Sequence, residues 1–237
     1  MTNPNLALLE EAVELLEPLL NELVFLGGCA TGLLVTDPAA TGIRPTRDVD
    51  AITEVTSYAQ YETLSERLRE LGLNEDASEN APTCRWCRGN LILDIMPTDE
   101  RILGFSNRWY GPAIGAAHRV TVGRHSIRVV TAPYFLATKL EAFYGRGGQD
   151  YRASHDLEDI IAVIDGRSEL VAEVRAAHAD VRDYVAAQAA ALLGTRAFLD
   201  ALPGHLAPDV ASQGRLPLLL TRLEALFAAS GPPDTDV

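Results

Sequence analysis

The sequence predicts an α/β fold of the α+β kind, followed by a helical C-terminal region. Two observations set this class. Short apolar runs of strand length alternate with helical periodicity up to about residue 131, and from Pro133 onward the pattern is helical. A third bears on function. Three of the short runs end in, or are broken by, residues that an apolar run would not choose for stability: Gly27-Gly28, then Asp48 and Asp50, then Asp94.

Each element can be justified in turn. Leu6 to Leu23 reads as an amphipathic helix, and Val24-Phe25-Leu26 as a short buried strand entering a glycine turn. Cys29 to Leu34 can start a helix. Thr36 to Pro45, rich in Pro, Gly and Thr, is a loop, and Arg47 to Thr53 is a strand. Tyr58 to Leu71 is an amphipathic helix stopped by Gly72. Short strands fit near Leu73–Glu75, Thr83–Arg88 and Asn90–Ile95. Pro97 to Pro112 reads as one long loop, in which Trp109 and Tyr110 either pack beneath the chain or stack a base. Strands near Arg119–Val122 and His125–Val130 make a hairpin around Gly123-Arg124. Helices follow over roughly 133–145, 155–165, 168–200 with breaks, and 214–229. The implied domains are 1–131 and 132–237, the second completing a groove of the first, with Gly145 to Gly148 as a joint.

Composition narrows the partners. A net charge of −13 lacks the basic footprint of a protein that grips long duplex DNA. The cations Arg44, Arg47, Arg85, Arg88, Arg108, Lys139, Arg146 and Arg152 nonetheless gather around the unusual residues in sequence, which suits a nucleotide or an RNA end. No apolar run approaches the ~20 residues of a membrane span, and the first helix lacks the basic start of a signal peptide. Three cysteines, an odd number, argue for a reducing compartment and a cytoplasmic protein. Cys84-Arg85-Trp86-Cys87 has no second pair to complete a zinc site, and strand alternation puts its thiols on opposite faces.

The acids carry the chemistry. Residues i and i+2 of a strand share a face, so Asp48 and Asp50 project together. Two carboxylates that close repel unless a cation sits between them, and hard oxygens on a fixed strand suit Mg²⁺, or Mn²⁺ in its place. Asp94 lies mid-strand, where an unpaired charge is expensive, and a second ion ~3.5–4 Å from the first would account for it. Taken singly, Asp48 also fits an ion pair with Arg44 or Arg47, and Asp94 a solvated turn. The Gly27-Gly28 turn entering a helix presents backbone N–H groups and a positive dipole end, a phosphate cradle. Lys139 is the only lysine among the chain's basic residues, all others being arginine. A retained lysine fits a task for a compact point charge, such as gripping a phosphate. Asp156 and Asp159 share a helical face.

Gly-Gly, then Asp-x-Asp, then a third acid on a later strand resembles the nucleotidyltransferase superfamily that includes DNA polymerase β. Gly27-Gly28 followed by Arg44-Pro45-Thr46-Arg47-Asp48-Val49-Asp50 is similar to the AbiEii-type nucleotidyltransferases, toxins of type IV toxin–antitoxin systems. That subfamily also has a lysine helix and an Asp-x-x-Asp helix, matched by Lys139 and by Asp156-Leu157-Glu158-Asp159. The resemblance spans about residues 22 to 165. It departs at Gly28, where many members have serine.

The resemblance implies a mixed sheet with flanking helices and the following roles. Asp48, Asp50 and Asp94 bind two Mg²⁺ ions. Gly27, Gly28, Arg44, Thr46, Lys139 and Arg146 bind the NTP, and Lys139 and Asp156 join the acids in catalysis. The acceptor hydroxyl implied is an RNA or tRNA 3′ end, with a cognate antitoxin as a further partner. A small molecule such as an aminoglycoside, a protein hydroxyl, or a catalytically silent nucleotide-binding scaffold are the alternatives.

Overall fold

The structure, a computed structural model, describes residues 3–40, 42–145 and 150–230. The chain divides into two compact units. One runs over Asn3–Gly32 and Pro45–Thr131; the other takes Leu33–Arg44 and the chain from Ala132 onward. The first is called the sheet unit below and the second the helical unit.

The sheet unit opens with helix α1 (Leu6–Leu15), whose buried Leu9, Ala12 and Val13 form its apolar stripe. The helix ends earlier than its periodicity suggests. Pro18 lies in a following 3₁₀ turn, Glu17–Leu19, because proline cannot continue the α-helical hydrogen bonding. Strand β1 (Leu23–Leu26) is buried at every residue, as its unbroken apolar run requires of a central strand. Helix α2 (Gly27–Leu34) starts at the glycine turn. Then come β2 (Val49–Thr53), α3 (Tyr58–Glu70), β3 (Asn74–Glu75), β4 (Arg85–Arg88) and β5 (Leu91–Pro97). Ser57 caps α3 by accepting from the Gln60 N–H.

The stretch expected as one long loop contains two helices, α4 (Glu100–Leu103) and α5 (Tyr110–Ala116). Both are too short for a periodic pattern to declare itself. Asp99 caps α4 and Gly104, at φ 79°, ends it. Trp109 and Tyr110 are buried, and the Tyr110 hydroxyl donates to Met96 Sδ at 3.1 Å, so the packing alternative describes them. A hairpin of β6 (His118–Val122) and β7 (His125–Val129) completes a seven-stranded sheet in the order β3-β4-β5-β2-β1-β7-β6. It is mixed: β2–β5 and β1–β7 are parallel, the remaining pairs antiparallel. The expected fold class is the observed one.

The helical unit holds α6 (Ala132–Gly145), α7 (His155–Gly166), α8 (Leu170–Ala176), α9 (Ala179–Leu193), α10 (Arg196–Ala201), α11 (Val210–Gln213) and α12 (Leu216–Phe227). Ser154 caps α7 by accepting from the Leu157 N–H. Segment 33–44 belongs to this unit through bonds that local sequence does not announce. The Thr36 and Asp37 N–H groups donate to the Gly166 carbonyl, and Arg215 binds both Asp37 and the fully buried Asp165. Among the described residues, no single helix is long and apolar enough to cross a membrane.

Candidate active site

In the sheet unit, strand register assembles the acids. Asp50 on β2 is the register partner of Asp94 on the parallel strand β5, and Asp94 is the partner of Arg85 on the antiparallel strand β4. Register partners project to the same face. Arg85, Asp94 and Asp50 therefore form a row across three strands, and Asp48 joins it two residues before Asp50. Asp48 lies just outside β2, which begins at Val49 and not at Arg47.

The acids are held differently. Arg85 grips Asp94 with a two-pronged fork, Nε to Oδ1 and Nη2 to Oδ2, both at 2.8 Å. The same Nη2 donates to Asp48 Oδ2 at 3.2 Å. The hydrogen bond with Asp94 raises the Arg85 pKa above its already high ordinary value. Neither Arg44 nor Arg47 is the partner found for Asp48. Thr46 Oγ1 donates to Asp48 Oδ1 at 2.7 Å. Asp50 packs against the turn: a Cβ on Gly27 would sit 1.9 Å from Asp50 Oδ2, and Gly27 has φ 70°. Only glycine meets both demands.

Asn5 was not foreseen. It stands at the N-cap position of α1 but makes no cap hydrogen bond with its side chain. Instead its Nδ2 donates to the Gly28 carbonyl at 3.2 Å, and its Oδ1 accepts from the Thr46 N–H at 2.9 Å. This buried amide fastens the glycine turn to the segment that carries Asp48. Its signal in the sequence was only that of a helix cap.

In the helical unit, a second cluster collects the remaining predicted residues. Lys139 on α6 contacts Asp156 at 3.0 Å and Asp159 at 2.7 Å, both on α7. Arg44 forks onto Asp159 through Nε and Nη2, each at 3.0 Å. Asp159 is almost fully buried, so both cations are drawn to one desolvated carboxylate. Arg146 lies outside the described residues.

Three carboxylates on one face are the hard-oxygen donor set of a Mg²⁺ site. As placed, however, no three His, Cys, Asp or Glu side chains among the described residues form a group that could hold a metal ion. Asp48 and Asp50 still fit one. Mg²⁺ commonly takes one or two carboxylates and completes its shell with water and substrate phosphates. Burial, with Asp94 adding its negative charge, pushes the nearby Cys84 thiol up to about 12. A cleft of about 440 Å³ lies in the same unit, lined by residues that include Asn21, Thr53, Arg67 and Arg128. It is at the other end of β1 and β2, where Leu23 pairs Thr53, away from Leu26 and Asp50, and holds none of the predicted residues. The acid row, with its charges and glycine turn, is the better candidate.

The fold is similar to that of an antigenic nucleotidyltransferase-like protein from Paracoccidioides brasiliensis, with a TM-score of 0.51, 18% identity and 94% of each chain covered. Weaker likenesses are to the antibiotic-resistance factor ANT(2″)-Ia (TM-score 0.47, 14% identity, 81% of this chain and 97% of that one). JHP933 from Helicobacter pylori has a TM-score of 0.43 and 12% identity, over 94% of this chain and 90% of that one. No protein-family model and no curated protein matches the chain. On the first likeness, the fold is nucleotidyltransferase-like.

Proposed function

We propose that this chain is a Mg²⁺-dependent nucleotidyltransferase that moves a nucleoside monophosphate from an NTP to an acceptor hydroxyl. The observation that carries the proposal is the row of Asp50 and Asp94, extended by Asp48, beside the Gly27 turn on a nucleotidyltransferase-like fold. Asp48 and Asp50 are the residues that would hold the ion, which when bound neutralises phosphate charge. The first N–H groups of α2, at Gly27 and Gly28, are donors for phosphate oxygens. The resemblance also implies a phosphate-binding role for Lys139 and Arg44, whose side chains contact Asp156 and Asp159 within the helical unit. Thr46 steadies Asp48 through its hydroxyl.

In the reaction, the acceptor oxygen attacks the α-phosphorus, the bond to the β-phosphate oxygen breaks, and pyrophosphate leaves with that electron pair. The hydroxyl proton passes to solvent. Positioning and charge neutralisation supply most of such catalysis.

The acceptor we propose is the 3′ end of an RNA, tRNA foremost, in a cytoplasmic setting with a cognate antitoxin as regulator. The support is the resemblance of Gly27-Gly28, Arg44 to Asp50, Lys139 and Asp156 to the AbiEii-type enzymes. The test incubates purified protein with Mg²⁺, each α-³²P-NTP in turn and total tRNA, resolved on a denaturing gel. Label on tRNA that is lost in Asp50→Ala is the expected result. Label found only on a small molecule or a protein in cell extract would replace the acceptor. Nucleotide binding with no transfer to any acceptor would replace the enzyme with a silent scaffold.

A further inference from the structure

We propose that the cleft at the far end of β1 and β2 is a second ligand site, taking a small organic anion. The ligand class is a carboxylate or phosphate carried on a partly apolar body. The site stands apart from the acid row and does not depend on nucleotidyl transfer. It lies where Leu23 pairs Thr53, whereas the acid row lies where Leu26 pairs Asp50. Its volume of about 440 Å³ is that of a small-molecule pocket.

The lining is rich in oriented donors. Arg128, half-buried on β7, gives Nη2 to the Ile114 carbonyl at 2.7 Å and Nη1 to the Asn21 carbonyl at 3.4 Å. Both partners are neutral, and no carboxylate pairs with Arg128 among the described residues. These bonds hold the guanidinium while leaving Nε–H and the second hydrogen of each Nη for a ligand. The register partner of Arg128 is Arg119 on β6, which donates to Asn21 Oδ1 at 3.0 Å. Arg119 likewise meets no carboxylate among the described residues. Like charges directly opposite in a sheet repel, so an anion beside Arg128 offsets a cost the fold otherwise carries.

Two neutral side chains add to this. Gln60 Oε1 accepts from the Thr56 N–H at 2.9 Å and from its hydroxyl at 3.1 Å, which leaves the amide hydrogens as donors. Thr53 lines the cleft at 4% exposure, and its hydroxyl has no hydrogen-bond partner among the described residues. Buried polar groups normally have one, so this hydroxyl is a further donor aimed at a ligand. The acids of the lining do not cancel the donors. Glu22 is taken by Arg67 at 2.8 Å, and Glu54 is exposed, where water and salt screen its charge. Buried Val55, Leu64 and Ile114 supply the apolar wall for the ligand's body.

The test titrates the ¹⁵N-labelled full chain with benzoate, phenyl phosphate and benzamide, the last having the same ring and no charge. The expected result is saturable NMR shifts at Thr53, Val55 and the Gln60 side chain with one or both anions, and none with benzamide. Benzoate acting alone assigns a carboxylate ligand, and phenyl phosphate alone a phosphate. Arg128→Gln is expected to weaken anion binding at least about tenfold, the scale of one charge-assisted hydrogen bond. Unchanged affinity in that variant overturns the proposal. Should Arg128→Gln fail to fold, Gln60→Glu decides, since it keeps an acceptor for Thr56 and replaces the donors with negative charge. A comparable loss there supports the site, and unchanged affinity overturns it. Benzamide binding as tightly as benzoate overturns the anion. Shifts confined to Gly27 and Gly28 place the anion at the acid row and overturn the second site, as does no saturable shift by about 10 mM.

Discussion

In the sheet unit, Asp48 and Asp94 share the one guanidinium of Arg85, with Asp50 a third acid on the same face. In the helical unit, Asp156 and Asp159 meet two cations, Lys139 and Arg44. In the first, one arginine spans two acids; in the second, two cations converge on one almost fully buried acid. That difference assigns different tasks to similar side chains. Carboxylates crowded on one face are eased by a cation, and are where a metal-dependent reaction would be placed. Cations that converge on a buried carboxylate are held in place, and such a cluster is altered chiefly by losing a member.

The largest effect that would separate the two is on catalysis. Asp50→Asn is expected to lower nucleotidyl transfer by at least about 10³-fold, the scale of losing one preorganised charge contact at a reacting phosphate. A labelled-NTP assay reads the loss, and a melting curve run beside it shows that the variant is folded. Activity retained within tenfold would move the chemistry away from the acid row. Gly27→Ala should approach the same loss by a different route, since its methyl group collides with Asp50 Oδ2 and strains a backbone at φ 70°. Unchanged transfer in Gly27→Ala would show that the Asp50 carboxylate can move without cost.

Stability should show the reverse ranking. Asp159→Asn removes the charge that Lys139 and Arg44 both face, and is expected to cost about 3 kcal/mol, or roughly 6–12 °C in melting temperature. Asp94→Asn should cost about half as much, because Arg85 keeps its contact with Asp48. Equal losses in the two variants would mean that the deeper burial of Asp159 does not set the two clusters apart.

What the sequence revealed of this contrast follows from the range of the interactions. Asp48 and Asp50 could be paired by counting along a strand, and Lys139 stood out as the chain's only lysine. The apolar runs before them also located β1, β2 and β5 closely. Arg85 was noticed only as one of several nearby cations, because its bond to Asp94 depends on the register of β4 with β5, which periodicity does not fix. Asn5 was invisible for a similar reason: an asparagine before a helix looks like a cap, and its two real partners lie 23 and 41 residues away. Arg44 belongs to the motif read around Asp48, yet it bonds to Asp159, 115 residues on. Local pattern located the charges; long-range pairing decided which partners hold them.

The smallest expected effect lies in another ion pair of the helical unit. Arg215 donates to Asp37 at 2.7 Å, and this bond, with the Ala39 N–H, holds the Asp37 carboxyl below the ordinary carboxylate value. A carboxyl whose folded pKa is depressed binds fewer protons when folded, so it adds stability above its unfolded pKa of about 4. That contribution falls away as pH drops through the lower folded value. Asp37→Asn should therefore cost under about 1 kcal/mol at pH 7, given the partial exposure of the pair. The melting curves of wild type and variant should converge as the pH approaches 3. Arg215 also binds the fully buried Asp165, so it stays anchored when Asp37 is neutralised, and nucleotide transfer at pH 7 should be unchanged. A gap in melting temperature that persists unchanged at pH 3 would assign the role of Asp37 to its backbone turn at Ala39 rather than to its charge.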